Sequence, residues 1–242
     1  PLEYAPAPTV TPEAKELADD LERLGPTFIK LGQLISTRAD FIPQPYMQAL
    51  ERLQDNVEPF PFSEVEAIVE VEIGARLSRA FSDFSSTPMA AASLGQVHAA
   101  TLRSGRNVVV KVQRPRIRER VAEDLDALGE IATMLDEHTE LGRKFHFSQI
   151  VEELRRSLLR ELDYRLEAAN LCLMREKLAG YKDLLVPAPV DDYSTGRVLT
   201  MEYISGQKIT KLSSVARLDV DGAALAESIF SAYLHQILVL GV

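Results

Sequence analysis

The chain has 242 residues, 46% hydrophobic and 26% charged, a composition that excludes a disordered or collagenous polymer and supplies one large core or two modest ones. Its net charge of −9 argues against a general electrostatic role on nucleic acid or an anionic membrane surface, so no nucleic-acid partner is expected. The single Cys172 leaves no internal disulfide framework, fits a reducing compartment and reads as a small core residue of a helix. Arg114, Arg116, Arg118 and Arg120 form a local basic cluster, either a solvated helix start or a phosphate or anionic-headgroup contact.

Residues 1–11 read as an extended, proline-rich leader, with no basic cluster ahead of an apolar run and hence no signal-peptide pattern. From Pro12, Leu17, Leu21, Leu24, Phe28, Leu31 and Ile35 recur at spacings of three and four, the stripe of a helix pair broken at Gly25-Pro26. Leu24, Phe28 and Phe41 are read as core packing, with a lipid-facing patch as the alternative. Lys30, Gln33 and Thr37 form a polar stripe on another face of the second helix. A short helix follows over about 45–53. Ser63 with Glu66 matches a capping box, Gly74 a C-cap, and a further helix is expected over about 75–81. Residues 12–84 are thus expected to be a helical extension with no strand signal.

The texture changes at Ser85. Met89 to Leu102 alternates, Ser104-Gly105 is a turn, and Val108 to Val112 is a strand with Val109 and Lys111 on one face and Val108, Val110 and Val112 on the other. A lysine set among valines needs an anionic partner, because an unpaired charge in an apolar site is costly. A helix is expected over 117–138, with Val121, Leu125, Leu128, Ile131 and Leu135 inward. A long helix capped by Ser148 is expected to run to about Ala179 and end at Gly180. On it Asp163 and Glu167 share a face, whereas Glu161 lies about 200° from Asp163, so the three acids serve one pocket only if the helix stands between two sites. Val190–Tyr193 and Arg197–Tyr203 read as a hairpin, Ile204 to Gly206 as a flexible exit and 213–218 as a short polar helix or loop. Asp221 opens a final, buried apolar helix, too interrupted by polar residues for a membrane span. The histidines His98, His138, His146 and His235 are scattered without metal-ligand spacing and read as structural or surface residues, so no metal site is expected within this chain.

Strand, small-residue loop, strand, lysine strand, helices with acids, hairpin, linker and apolar helix follow one another in the order of a protein-kinase-like N-terminal lobe. The expected fold class is therefore α+β, with about five antiparallel strands plus helices over 85–206, the helical extension ahead of it and the start of a second lobe over 207–242. Lys30-Leu31-Gly32-Gln33 resembles a K-x-G-Q motif, Ala90-Ala91-Ala92-Ser93 an alanine-rich loop and Glu161-Leu162-Asp163 an E-x-D motif. Together they resemble the UbiB family of atypical kinases over about residues 20–242.

The resemblance implies a nucleotide partner, ATP or ADP with Mg²⁺. Lys111 would bind the α and β phosphates, Glu167 would be its ion-pair partner, and Ala90, Ala91, Ala92 and Ser93 would cover the phosphates. Met201 would stand at the back of the adenine site, with the backbone of Glu202 and Ile204 available to adenine. Lys30, with Gln33 on the same motif, would reach toward Glu161 or Asp163, the extension lying over the face where a protein substrate would dock. Alanines in place of glycines stiffen the loop and imply a weakened or altered ATP preference.

Relatives of this type continue into a catalytic loop and a metal-binding aspartate. Those residues, including the Mg²⁺ ligands, are expected beyond Val242, and the chain by itself is expected to be inactive. The resemblance implies an ATPase or kinase-like enzyme in ubiquinone or related isoprenoid-quinone biosynthesis. The alternative is a pseudokinase-like module that uses nucleotide as a conformational ligand while handling a lipid precursor or organising biosynthetic proteins. Either implies a cytoplasmic or peripheral place at the inner side of a bacterial or organelle membrane.

Overall fold

Thr11 opens the first helix of the computed structural model, its hydroxyl accepting from the Ala14 N–H. The structure describes residues 10–38, 40, 42–53, 58–206 and 221–241. Most of the leader, Phe41 and the polar stretch at 213–218 lie outside the described residues.

Helices α1 (Pro12–Leu24), α2 (Pro26–Ser36) and α3 (Gln44–Glu51) pack as a unit. Gly25 separates the first two at a φ of 109°, which an L side chain rarely adopts, and Pro26 starts α2 with its φ already set. The buried face of this unit is not the leucine stripe. Ala14, Ala18, Ile29 and Gly32 are inside, while Leu17 and Leu24 are exposed. Small residues let the helices approach: a methyl at Gly32 would come within 2.3 Å of Leu53 Cδ1 and 3.0 Å of Leu21 Cδ1. The unit docks on the rest of the protein through Leu31 and Leu34 and through a 2.6 Å bond from the buried Thr27 hydroxyl to Asp124.

Helix α4 (Phe62–Ile73) starts after Pro61, so Ser63 is already inside the first turn and caps nothing. Gly74 ends it in the left-handed conformation. After α5 (Leu77–Ala80) the chain enters a strand earlier than its pattern suggested. β1 (Phe81–Phe84) occupies residues read as helical, because Phe81 is buried between α4 and the sheet.

The sheet has five antiparallel strands in the order β1, β3 (Gly95–Leu102), β4 (Asn107–Gln113), β5 (Val198–Glu202), with β2 (Ala90–Ala91) also paired to β3. Lys111 stands opposite Val97 on one side and Leu199 on the other. Val108, Val110 and Val112 are 0% exposed and pack with Val198 on Val65, Ile68 and Val69 of α4. At about 25 cal/mol per Å² of buried apolar surface, this valine face anchors the strand that carries the lysine. Val109 and Lys111 take the opposite face.

Helix α6 (Ile117–His138) buries Val121, Leu125 and Ala132, but Ile131 is 52% exposed, so the inner face drifts away from the anticipated stripe. After α7 (Glu140–Phe145), α8 (Phe147–Glu161) is capped from outside. Asp136 accepts from the Phe147 and Ser148 N–H groups and from the Ser148 hydroxyl, so Ser148 donates where it was expected to cap, and its hydroxyl holds the Asp136 carboxyl below the usual carboxylate range. The expected long helix is broken: α9 (Tyr164–Lys177) starts afresh, with Asp163 as its N-cap accepting from the Arg165 N–H, and it ends before Gly180.

The expected hairpin is also reduced. Asp191–Tyr193 is a 3₁₀ turn, and the pairing with β5 is a Pro189–Met201 bridge, where the Val190 N–H donates to Thr200 O and the Glu202 N–H donates to Ala188 O. Cys172 is exposed on α9 rather than in the core. Asp221 caps α10 (Gly222–His235), which runs into a π-helical turn, Gln236–Leu240. This last helix is largely exposed rather than buried: Phe230 and Leu238 are 62% and 75% accessible, Ala232 is buried, and Gln236 touches Met174 and His235 the ring of Tyr181. No helix of the described residues is long and apolar enough to cross a membrane.

Candidate functional site

On the face of the sheet away from α4, Lys111 Nζ lies 2.7 Å from Glu167 Oε2 and 4.6 Å above the ring of Tyr164. A second pair, Lys30 Nζ to Glu161 Oε2 at 3.0 Å, enters from α2 and the end of α8. Both pairs line one cavity of about 140 Å³, roofed by Ala90, Ala92 and Ser93. Two ammonium and two carboxylate groups leave it with no formal net charge. The rank of whole-ligand pockets begins at about 300 Å³, so the cavity as shaped takes one end of a ligand.

Local chemistry explains how two helices bring their acids together. The turn between α8 and α9 exposes carbonyls that a continuous helix would have used. Gln113 at the end of β4 donates to Leu162 O and, at 3.1 Å, to Gly196 O, and Arg118 of α6 donates to the same two oxygens. The break is therefore tied to the strand that carries Lys111.

The loop above the cavity is tight. The Ala92 N–H donates to Gly95 O at 2.7 Å, the Arg114 N–H donates to Leu94 O, and the Arg114 guanidinium reaches the carbonyls of Ala92 and Glu58 while stacking on Phe60. Arg118 and Arg120 likewise end on backbone oxygens, the latter on Leu24 O. Three of the four clustered arginines thus clamp backbone, which neither reading of the cluster anticipated. Gly95 is required by contact: a methyl there would meet Val112 O at 2.4 Å and the Tyr164 hydroxyl at 2.8 Å.

Lys30, Ala90, Ala92, Ser93, Lys111, Glu161 and Glu167 meet at the cavity. The other singled-out residues do not. Ala91 pairs with Gln96 in β2, and Gln33 donates to Leu53 O at 2.9 Å, holding α2 on the loop after α3. Asp163 caps α9. Met201 pairs with Val109 in β5, Ile204 is exposed beyond it, and neither lines the cavity. Of the Glu202 backbone, the N–H donates to Ala188 O at 2.9 Å. Sequence reasoning missed Tyr164 and Gln113, and it gave Arg114 and Arg118 a different role. Only the aromatic next to the E-x-D acids offered a signal.

Behind the loop, Gln96 and His98 form a buried polar chain. Gln96 accepts from the Phe60 N–H and donates to Phe60 O and to His98 Nε2, while His98 Nδ1–H donates to Ser85 O. Those partners assign the neutral Nδ1–H tautomer, and burial pushes the imidazole below its usual range.

A sequence profile of the ABC1 atypical kinase-like domain matches residues 52–242. The chain belongs to the ABC1 atypical kinase-like family. It is 43% identical over 93% of its length to the chloroplast protein Activity of BC1 Complex Kinase 8 of Arabidopsis thaliana, of which it spans 30%. It is 37% identical over 98% of its length to a protein of Cellvibrio japonicus named Probable protein kinase UbiB, spanning 43% of that chain. A solved Mycobacterium tuberculosis structure, a complex of Rv3197 with erythromycin, is 31% identical and covers 82% of this chain and 50% of its own, with a TM-score of 0.47. The chain thus spans less than half the length of the curated relatives named here, and its α+β architecture is the kinase-like N-terminal lobe of an ABC1 protein with a helical extension packed on it.

Proposed function

We propose that the chain is the nucleotide-binding part of an atypical kinase-like ATPase that supports synthesis of ubiquinone or a related isoprenoid quinone. The Lys111–Glu167 pair carries this reading. A cation held at 2.7 Å by a helix carboxylate, on the centre of a sheet and under a small-residue loop, is a fixed positive point for phosphate oxygens. Tyr164 holds the lysine's other side, so Lys111 needs no reorganisation to receive an anion.

The residues fit the phosphate end of ATP or ADP. Among the described residues no group of three or more His, Cys, Asp or Glu side chains is arranged to hold a metal, and this reading draws the Mg²⁺ ligands from other parts of the full-length protein. Mg²⁺ would neutralise phosphate charge that this formally neutral cavity leaves uncompensated. Adenine would lie toward Met201 and β5, with the Glu202 carbonyl and the Ile204 backbone as its polar partners.

One observation favours a second reading. Lys30 of the extension, paired with Glu161 of α8, already lines the phosphate cavity, which suits a protein that senses nucleotide without turning it over. In that case the nucleotide would gate a bound lipid precursor or partner proteins of the biosynthetic complex, at or near a membrane. Thermal shift with Mg-ATP and Mg-ADP tests the shared core of both readings: the melting temperature should rise and saturate, and Lys111→Met should lose the response. No shift of the unaltered protein at millimolar nucleotide would sink it. Phosphate release by the full-length protein, abolished by Lys111→Met, separates enzyme from sensor.

A further inference from the structure

Tyr164 is the largest fully buried side chain of the molecule's described residues, and its hydroxyl has no hydrogen-bond partner among them. Buried hydroxyls in folded proteins are nearly always paired, so an orphan calls for a partner of its own. The backbone N–H of the same residue is satisfied by Gly196 O, and the ring is used under Lys111, which leaves the oxygen as the one unmatched group. It lies against Gly95, where an added methyl would come within 2.8 Å of it, and Tyr164 and Gly95 both line the cavity.

Resting on the nucleotide reading above, we infer that the Tyr164 hydroxyl is a direct ligand contact, donating a hydrogen bond to a phosphoryl oxygen held by Lys111. Burial and the nearby Glu167 and Glu161 push the phenol well above its usual range, so it stays a protonated donor at every physiological pH. The cavity's other titratable groups limit what could accept from it. The ammonium groups of Lys111 and Lys30 have no lone pair, and the two carboxylates are matched to them. An incoming oxygen-rich anion supplies the missing acceptor, and the same anion meets Lys111 on the other side of the ring. The residue would then have two functions: its face positions the lysine and its edge reads the phosphate.

Tyr164→Phe separates the two, since it keeps the ring and removes only the oxygen. Titration calorimetry with Mg-ADP should show affinity weakened about tenfold, the effect of one hydrogen bond to a charged oxygen. The melting temperature without ligand should stay level or rise, because an unmatched buried hydroxyl has gone. Equal Mg-ADP affinity in both proteins overturns this inference and leaves the nucleotide reading intact, and a lowered melting temperature beside it would mark the hydroxyl as a structural group bonded to buried water. Failure of the unaltered protein to bind Mg-ADP overturns the nucleotide reading and this contact with it. Tyrosine labelled with ¹³C at Cζ reads the same contact without substitution: the Tyr164 resonance should move on Mg-ADP addition, and a resonance that stays in place while ligand binds overturns the contact.

Discussion

Glu161 and Glu167 line one cavity from two helices, on either side of a break at Leu162–Asp163. On an unbroken helix, six residues would turn the second carboxylate about 240° from the first. Asp163 resets the chain by capping α9, so its side chain is needed as an acceptor and not as a charge. Asp163→Ala should lower unfolding stability by about 1 kcal/mol, whereas Asp163→Asn should stay within a few tenths of the unaltered protein. Urea denaturation measures both, and an Asn variant as unstable as the Ala variant would assign the residue a role that depends on charge.

The balance of two cations and two anions makes nucleotide affinity sensitive to single charges. Glu161→Gln leaves Lys30 uncompensated and should tighten Mg-ADP binding a few-fold, while Lys30→Met should weaken it by a similar factor. Both effects should shrink at high salt, because these side chains are partly exposed. Calorimetric titrations at two ionic strengths decide the matter; a Glu161→Gln protein that binds more weakly would mean that the pair shapes the cavity rather than charges it.

Two glycines are predicted to differ in their tolerance of alanine. At Gly95 the added methyl meets the Val112 carbonyl, which cannot move without parting β3 from β4, so a loss of about 2–3 kcal/mol is expected. At Gly32 it meets the ends of Leu53 and Leu21, which can turn aside, and the helix gains about 1 kcal/mol from alanine's propensity. A net loss under about 1 kcal/mol follows. Denaturation midpoints should therefore rank Gly95→Ala well below Gly32→Ala, and equal midpoints would contradict the contact geometry.

His98 should make stability depend on pH. Its folded-state pKa is depressed below the ordinary value near 6.5, so the unfolded chain binds the extra proton more readily. The contribution is complete above that value and is lost as pH falls below it, by up to about 1.4 kcal/mol per pH unit. Melting temperature should decline between pH 7.5 and 5.5. His98→Gln should be less stable at pH 7.5 but flatter across the same range, and an unchanged slope would move the effect to another group.

Much of the lobe was legible because strong local patterns agree with tertiary demand. The valine alternation around Lys111 places three residues on α4 and the lysine opposite, and the 117–138 helix has the bounds that its periodicity suggests. Gly25-Pro26 and Gly74 mark real helix ends because their backbone preferences act locally. Misreadings arose where the deciding partner is distant in sequence. Ser148 is not the cap of α8, since Asp136 comes across from α6, and α8 and α9 part where Gln113 and Arg118 donate to the freed Leu162 carbonyl. The extension's inner face follows Ala14, Ala18 and Gly32, because close approach of helices rewards small side chains over the leucines that dominate a periodicity count.

By itself, then, the sequence determined the strands on either side of the Ser104-Gly105 turn, the strand face that Lys111 occupies and the family to which the motifs point, all set by short-range preference and residue spacing. Tertiary structure alone decided which of the motif residues meet. It broke a helix to bring Glu161 beside Glu167, used Gln33 and Asp163 as structural ties, and left the Tyr164 hydroxyl unmatched at the cavity. The Lys111–Glu167 bond and the bonds from Gln113 to Leu162 O and Gly196 O join residues 49 to 83 positions apart, and no local pattern encodes partners at such separations.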